Sequence, residues 1–369
     1  MILKQINIIQ YKNLREVEIF PHPEINAFVG LNGMGKTNIL DAIHYLCLSK
    51  SNFSNIEKNN ILFGTDFFRL KAYFDINNET NEFVIKYNIN KNKIIEHNKK
   101  QTDKISDHVG KLPVVIITPN DKNNLLESSS ERRNFMNKAL SQTDHEYLRT
   151  LLEYNKLLNH RNAYLKNTDP SRTDIFLLQT YDRKMEPLAN FIFRKREEFI
   201  SKLEVQFLKS YTEISEGREK PKILYSSQMY ENDFLKLCEV NLRKDILLKR
   251  SNTGIHKDDL VFQLDESNLK HFGSQGQIKS FLLAVKLAEF SYLADEKKLK
   301  PILILDDIFD KLDRFRLKKL ISLLFEKQFG QVFISDTDLT RMLSVFAETK
   351  VEHKIFEVNE GKIVNIYDQ

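Results

Sequence analysis

Gly30, Leu31, Asn32, Gly33, Met34, Gly35, Lys36 and Thr37 spell a glycine, four residues, then Gly-Lys-Thr. This is the pattern of a loop that wraps phosphate groups. The three glycines let successive backbone N–H groups turn inward toward oxyanions. Lys36 can reach the terminal phosphates, and the Thr37 hydroxyl can ligate Mg²⁺. Such a loop works only between a strand and a helix. Ile25-Asn26-Ala27-Phe28-Val29 before it reads as a buried strand. Asn38-Ile39-Leu40-Asp41-Ala42-Ile43 after it reads as the start of an amphipathic helix whose positive end lies under the phosphates. A chance glycine turn is the alternative, and the flanks argue against it.

A phosphate loop needs a partner carboxylate. Ile302 to Leu305 is an apolar run that ends in Asp306-Asp307. A buried strand would deliver these acids beside the metal, Asp306 to hold Mg²⁺ through water and Asp307 to polarise the attacking water. Alone, the stretch is equally a strand followed by a turn with two aspartates. A second anion site is suggested by Ser274-Gln275-Gly276-Gln277, directly before an apolar helix at Phe281 to Ala294. A hydroxyl and a bare backbone there sit at a helix N-terminus. The chain has one phosphate loop, so this second site invites a role in trans: ATP held between Lys36 of one subunit and Ser274 of another. The plainer reading is a glycine loop that caps its own helix.

The chain has 369 residues, enough for two domains, with 41% hydrophobic and 29% charged residues, as in ordinary soluble proteins. Its 56 Lys+Arg against 51 Asp+Glu leave a net charge of +5. That permits a nucleic-acid partner without requiring one. Two distant cysteines, Cys47 and Cys238, argue against a disulfide framework or zinc site. No signal peptide and no membrane-length apolar stretch is read, so the expected location is cytoplasmic.

Residues 2–9 and 16–20 read as two strands. Residues 67–97 read as an antiparallel meander, with a turn at Asn77-Asn78. Val114 to Ile117 is another strand. Ser128 and Glu131 are spaced like a capping box. Leu148, Leu151, Leu152 and Leu158 share a helical face. From Asp174 to about Ser215 the helical period returns, with Pro187 expected to kink or divide the helix. Two long helices with a short connection imply an antiparallel arm. After Gly217 strands return at 222–225 and 260–264, then at 332–335 and as a hairpin around Asn359-Glu360-Gly361. The expected division is 1–120 with 218–369 as a head, including an antiparallel β lobe at 60–100, and 121–217 as the arm.

Ser274-Gln275-Gly276-Gln277 resembles the signature motif of ABC-type ATPases in its repair-protein form. Asp306-Asp307 and Asp310-Lys311-Leu312-Asp313 resemble their second acidic motif and D-loop. Within that superfamily the chain resembles the RecF family. Tyr11-Lys12-Asn13 matches its aromatic-basic-Asn entry. Thr118-Pro119-Asn120-Asp121 and Ser129-Ser130-Glu131-Arg132-Arg133 match its stretch after the first lobe. Gly254-Ile255-His256-Lys257-Asp258-Asp259-Leu260 matches its Gly-Pro-His-Arg-Asp-Asp-Leu. Ser335-Asp336-Thr337-Asp338 stands at the switch position. Lys12 and Lys257 replace arginines, which keeps the charge and loses the bidentate fork.

The resemblance implies an α/β P-loop fold: an ABC-type ATPase head of mixed sheet plus antiparallel β lobe, with an inserted helical arm. It implies ATP and Mg²⁺ as cofactors. The nucleotide would be contacted by the phosphate loop, Asn38, Lys12, Asn13, Ser274 to Gln277 and Asp313. Thr37 and Asp306 would serve the metal, and Asp307 and Lys36 catalysis. It further implies an ATP-dependent homodimer that binds duplex DNA at single-strand gaps. Such a protein works with RecO and RecR to load RecA, with slow DNA-stimulated hydrolysis. Competing readings are an ABC transporter ATPase subunit and a P-loop small-molecule kinase; a fused nuclease has no residues left for it. Candidate DNA contacts are Arg194-Lys195-Arg196, Lys99-Lys100, and Arg314, Arg316, Lys318 and Lys319, each also readable as a solvated face. His256 is either a nucleotide sensor or a structural histidine.

Overall fold

The structure, a computed structural model, describes residues 1–215, 219–308, 329–349 and 351–368. Elements are numbered along the chain. The residues separate into two compact units, 1–120 with 293–369, and 121–292.

In the first unit, β1 (Ile2–Tyr11) and β2 (Leu14–Ile19) alternate buried and exposed positions and pair as a hairpin. With β4 (Phe67–Ile76), β5 (Glu79–Asn88), β6 (Ile94–His97) and β7 (Lys100–Gln101) they form an antiparallel sheet in the order β2-β1-β4-β5-β6-β7. The expected meander is therefore one half of a six-stranded sheet. The second sheet has the order β15-β14-β3-β13-β12-β8. Its members are β3 (Ile25–Val29), β8 (Val114–Ile117), β12 (Ile302–Leu305), β13 (Val332–Asp336), β14 (His353–Asn359) and β15 (Lys362–Asp368). All neighbours are parallel except β14 and β15. Every residue of β3, β8, β12 and β13 is buried, which is why they read as apolar runs, unbroken in β8 and β12, rather than as alternating strands.

Helix α1 (Lys36–Leu48) fills the space between the sheets. Ten of its thirteen residues are buried, as expected of a helix covered on more than one side. Its Ile39, Leu40, Ile43 and Leu46 share a core with Leu3, Ile6 and Ile8 of β1, Phe68 and Leu70 of β4, and Phe28, Ile304 and Phe333 of the parallel sheet. Tyr11, Tyr45 and Phe68 meet edge to face, centroids 5.2–5.8 Å apart. The start of α1, where the phosphate loop ends, is thus held by a rigid core.

The second unit is built on helices α2 (Asp121–Glu127), α3 (Ser129–Thr143), α4 (His145–Asn167), α5 (Ile175–Ser215), α6 (Phe234–Leu248), α7 (Leu269–Phe272) and α8 (Gln275–Lys297) as far as residue 292. The Ser128 side chain caps α3 by accepting from Glu131 N–H, as its spacing predicts. α4 and α5 pack together. α5 runs unbroken through Pro187 for 41 residues, about 60 Å at 1.5 Å per residue. Proline removes one helix hydrogen bond, and the long buried face of α5, from Leu178 through Met185, Ile192, Phe199 and Phe207, outweighs that local loss. The expected division of the helix does not occur.

The first three strands after residue 217 do not join the sheet that carries β3. β9 (Pro221–Ser226), β10 (Asp259–Leu264) and β11 (Ser267–Asn268) form a separate sheet, β11-β10-β9, inside the second unit. Residues 219–292, which the sequence places with the head, thus pack with the arm helices. Two buried arginines explain the grouping. Arg161 of α4 binds Asp182 of α5 at 2.8 Å, and Asp245 of α6 and Ser251 Oγ at 2.8 Å each. Arg196 of α5 binds Asp258 and the Ile255 carbonyl at 2.6 Å, and Asn137 of α3 at 3.0 Å. Removing one partner from such a network costs about 3–5 kcal/mol by leaving a buried charge unpaired.

Cys47 and Cys238 are buried free thiols, and burial raises both above the ordinary thiol range. Among the described residues no helix is long and apolar enough to cross a membrane.

Candidate functional site

β3, β13 and β12 are parallel neighbours, so their C-terminal ends open on one edge of the sheet. β3 leads into the phosphate loop, β12 into Asp306-Asp307, and β13 carries Ser335 and Asp336. The candidate residues of the first unit therefore converge although hundreds of positions separate them. Thr37 Oγ1 donates to Asp306 Oδ1 at 2.9 Å. Ser335 Oγ lies 2.9 Å from Asp306 Oδ1 and 3.2 Å from Asp307 Oδ1, and accepts the Asp307 N–H at 2.8 Å. A serine hydroxyl has one proton and can serve one carboxylate at a time. With that proton on Asp306, which Thr37 also serves, the Asp307 carboxylate is open to water or a cation. Asp307 has a left-handed φ of 45°, which few non-glycine residues adopt.

The loop itself is tightly buttressed. Gly30, Gly33 and Gly35 have φ of 152°, 83° and 111°. A Cβ on Gly30 would stand 2.3 Å from the Val358 carbonyl oxygen, so no side chain fits. Gly361 N–H donates to the Met34 carbonyl at 2.8 Å. The β14–β15 hairpin thus holds the loop from the outside, a contact with no signal in the sequence. Leu31, Asn32 and Gly33 are exposed. Lys36 is 3% exposed, and its ammonium donates to the carbonyls of Gly30 at 2.7 Å and Leu31 at 3.0 Å. The cation lies along the loop's inner wall.

Burial pushes the Asp306 carboxyl above its ordinary range. The Ser335 and Thr37 hydroxyls oppose this, and the Asp307 charge adds to it. A desolvated carboxylate beside a second one is a natural seat for a hard divalent cation. Thr37 Oγ1 and an Asp306 oxygen are the hard donors, and Mg²⁺ takes one or two such protein ligands plus phosphate oxygens. The donor set fits the ion. Among the described residues no cluster of three His, Cys, Asp or Glu side chains forms a metal cage elsewhere.

Asn13 touches the loop: its Nδ2 lies 3.5 Å from the Gly33 carbonyl and its Oδ1 accepts from Asn38 Nδ2 at 2.7 Å. Lys12 does different work. Its ammonium pairs with the buried Asp41 of α1 at 2.6 Å, where Tyr11 and Ser51 also donate. Burial raises Asp41, and Lys12 outweighs it, holding the carboxyl below its ordinary range. Lys12 fastens the start of the chain to α1.

Ser335 is the member of the switch stretch that meets both acids. Asp336 is buried and bound by both oxygens to Arg341, at 2.6 and 2.7 Å. Asp338 accepts from Arg341 N–H at 3.0 Å at the start of α9 (Leu339–Thr349). In the second unit, Ser274 N–H donates to Gln277 Oε1 at 2.7 Å, and Ser274 Oγ accepts Gln277 N–H at 3.2 Å. This reciprocal cap starts α8. Gln275 accepts from Lys122 at 2.5 Å, and Gln277 donates to Glu219 at 2.7 Å. Gly276 is exposed, and the nearest atom to a Cβ there is Ser274 Oγ, 4.0 Å away. Among the described residues nothing requires glycine at 276. Asp310 to Asp313, with Arg314, Arg316, Lys318 and Lys319, lie outside the described residues.

Arg196 is not a DNA contact, because it is 1% exposed and enclosed by Asp258, Asn137 and Tyr147. Lys195 pairs with Asp144 at 2.8 Å. Arg194, Lys99 and Lys100 are exposed. His256 Nδ1 lies 3.0 Å from the Tyr154 hydroxyl and Nε2 3.2 Å from the Ser251 carbonyl. Burial lowers it to about 4, so it stays neutral and structural at neutral pH.

Residues 2–362 match the family described as the RecF/RecN/SMC N terminal domain. The chain is 40% identical over 359 residues to the DNA replication and repair protein RecF of Flavobacterium johnsoniae, covering 97% of this chain and 100% of that one. It is 38% identical over 365 residues to RecF of Phocaeicola vulgatus, covering 98% of each. Among solved structures, the recombination mediator protein RecF bound to ATPrS, described in the RecFOR pathway, is similar with a TM-score of 0.88 and 26% identity. That match covers 98% of this chain and 97% of the other. The Smc head domain of Pyrococcus furiosus, at a TM-score of 0.58 and 15% identity over 100% of this chain and 96% of the other, shares the fold.

Proposed function

The chain belongs to the RecF family, with the ABC-type ATPase fold of the SMC heads, and on that premise we propose that it is an ATP-driven DNA-binding switch. Two copies close around ATP and Mg²⁺, hold duplex DNA at single-strand gaps, and act with RecO and RecR to load RecA in the cytoplasm. Hydrolysis is slow, is stimulated by DNA, and resets the dimer. The observation that carries the reading is the contact of Thr37, Asp306, Ser335 and Asp307 beside the phosphate loop.

Each residue has a part. The loop amides from Gly30 to Gly35 and the start of α1 bind the phosphates, with Asn38 and Asn13 at the rim. Lys36 turns its ammonium to the terminal phosphates. Thr37 and Asp306 hold Mg²⁺, which when bound neutralises charge on the phosphates. Asp307 orients the attacking water, and Ser335 sets the spacing of the two acids. Ser274 to Gln277 meet the nucleotide of the other copy, and Asp313, of the stretch that resembles the D-loop, is assigned to the nucleotide as well. The open space at Gly276 supports that trans role, because it leaves room for a phosphate to approach bare backbone.

Asp307→Asn tests the assignment. The amide keeps the shape and the contact with Ser335 but is a poor base. Turnover should fall about 10²-fold or more, while the ATP-dependent dimer persists in gel filtration. Wild-type turnover in this variant removes Asp307 from the mechanism.

A further inference from the structure

Four cations gather in the second unit around the turn Ile255–Lys257. Arg133 of α3 donates Nη1 to the Asp258 carbonyl at 2.8 Å, one residue past Lys257. The same turn is tied by His256 Nε2 to the Ser251 carbonyl at 3.2 Å, next to Arg250. Arg250 follows α6, which carries Lys244. Lys257, Arg250 and Lys244 are exposed and Arg133 is half-buried. Asp259 and Asp258 act on Arg133, and Asp245 on Lys257, through space, without a direct ion pair to either among the described residues.

The aspartates that could neutralise this group are committed elsewhere. Asp245 accepts from Arg161 at 2.8 Å and from Asn252. Asp258 binds Arg196 at 2.6 Å and Tyr225. Asp259 takes both nitrogens of Arg132, at 2.6 and 2.8 Å. The internal salt bridges therefore use the local negative charge and leave the outward cations together. Partial desolvation lowers the Lys257 ammonium, Arg250, Arg133 and Lys244 lower it further, and Asp245 only partly opposes them. The scaffold is stiff, since His256 also meets Tyr154 of α4 at 3.0 Å. Arginine and lysine spread over three elements suit closely spaced phosphates read without regard to sequence.

We propose that Lys257, Arg250, Lys244 and Arg133 form a contact surface for the phosphate backbone of duplex DNA. This rests on the DNA-binding reading above. It replaces the Arg194-Lys195-Arg196 stretch, where one cation is buried and one is paired.

The test is fluorescence anisotropy of a labelled gapped duplex with the full chain, ATP and Mg²⁺, across a salt series. Lys257→Gln with Arg250→Gln removes two charges from exposed side chains. Affinity should fall about 10- to 30-fold near 0.1 M salt, and the log–log salt slope should shrink by about 2. ATP binding and the melting temperature should match wild type, and Arg194→Gln should bind DNA normally. If wild type binds the duplex and the double variant binds with equal affinity and slope, the surface is wrong while the DNA-binding reading stands. If wild type binds no duplex, that reading falls and the surface with it. Polyglutamate displacing the duplex from wild type at matched charge would assign the cluster to an acidic protein instead.

Discussion

Lys36→Ala should lose ATP binding while keeping its fold. The lysine is buried, yet its two partners are backbone carbonyls on the half-exposed Gly30 and the exposed Leu31. Water can replace the ammonium there, so truncation leaves no buried charge and costs little stability. The effect on nucleotide is different in kind. A charged hydrogen bond contributes about 1.5–3 kcal/mol, and Lys36 is the cation that the loop itself supplies. Losing it should weaken ATP about 10- to 150-fold, read by titration with a fluorescent ATP analogue. The melting temperature without nucleotide should stay near wild type. Unchanged nucleotide affinity in a folded variant would remove the phosphate-loop assignment.

Ser274→Arg should do the opposite: bind ATP and fail to dimerise. Within the chain Ser274 caps α8, a role whose loss costs about 1 kcal/mol. The side chain is exposed, so arginine can be carried without a clash inside its own unit. In a closed dimer the same position would face the partner's nucleotide, and a bulky side chain there blocks approach. Light scattering should show monomer with ATP where wild type shows dimer, and turnover should fall to background. Ser274→Ala separates the two roles by removing the cap without adding bulk. A Ser274→Arg protein that still dimerises with ATP would leave Ser274 with its capping role alone.

The phosphate loop and Asp306-Asp307 are readable in the sequence because each is a local pattern. A buried strand reads as an apolar run, and its chemistry stands at the next residue. The parallel register that brings Thr37 to Asp306 needs no further signal once both strands are recognised. Ser335 is harder. Its hydroxyl matters because β13 lies between β3 and β12, and strand order is a tertiary fact. Val358 and Gly361 are invisible for the same reason, since their partners Gly30 and Met34 lie more than 300 positions away.

Arg196 carries a signal in its period as well as in its charge. It falls in step with Ile192, Phe199 and Leu203 on the buried face of α5, so the helical period already places it inside. The run Arg194-Lys195-Arg196 looks like a basic patch when charge is counted without period. The boundary at residue 217 follows a change from helical to strand patterns. The compact unit ignores that change because Arg161 and Arg196 tie α4 and α5 to residues 245–258. α6 shows little sequence contrast, with exposed Val240, Leu247 and Leu248 blurring its apolar face.

ATP turnover per subunit, measured against protein concentration with and without gapped duplex DNA, tests the account most directly. An active site completed by a second copy requires specific activity to rise with concentration, and a DNA-driven switch requires a further rise when the duplex is added. Specific activity that is flat in both would contradict the account and describe a monomeric phosphate-loop enzyme, with Ser274 serving its own helix alone.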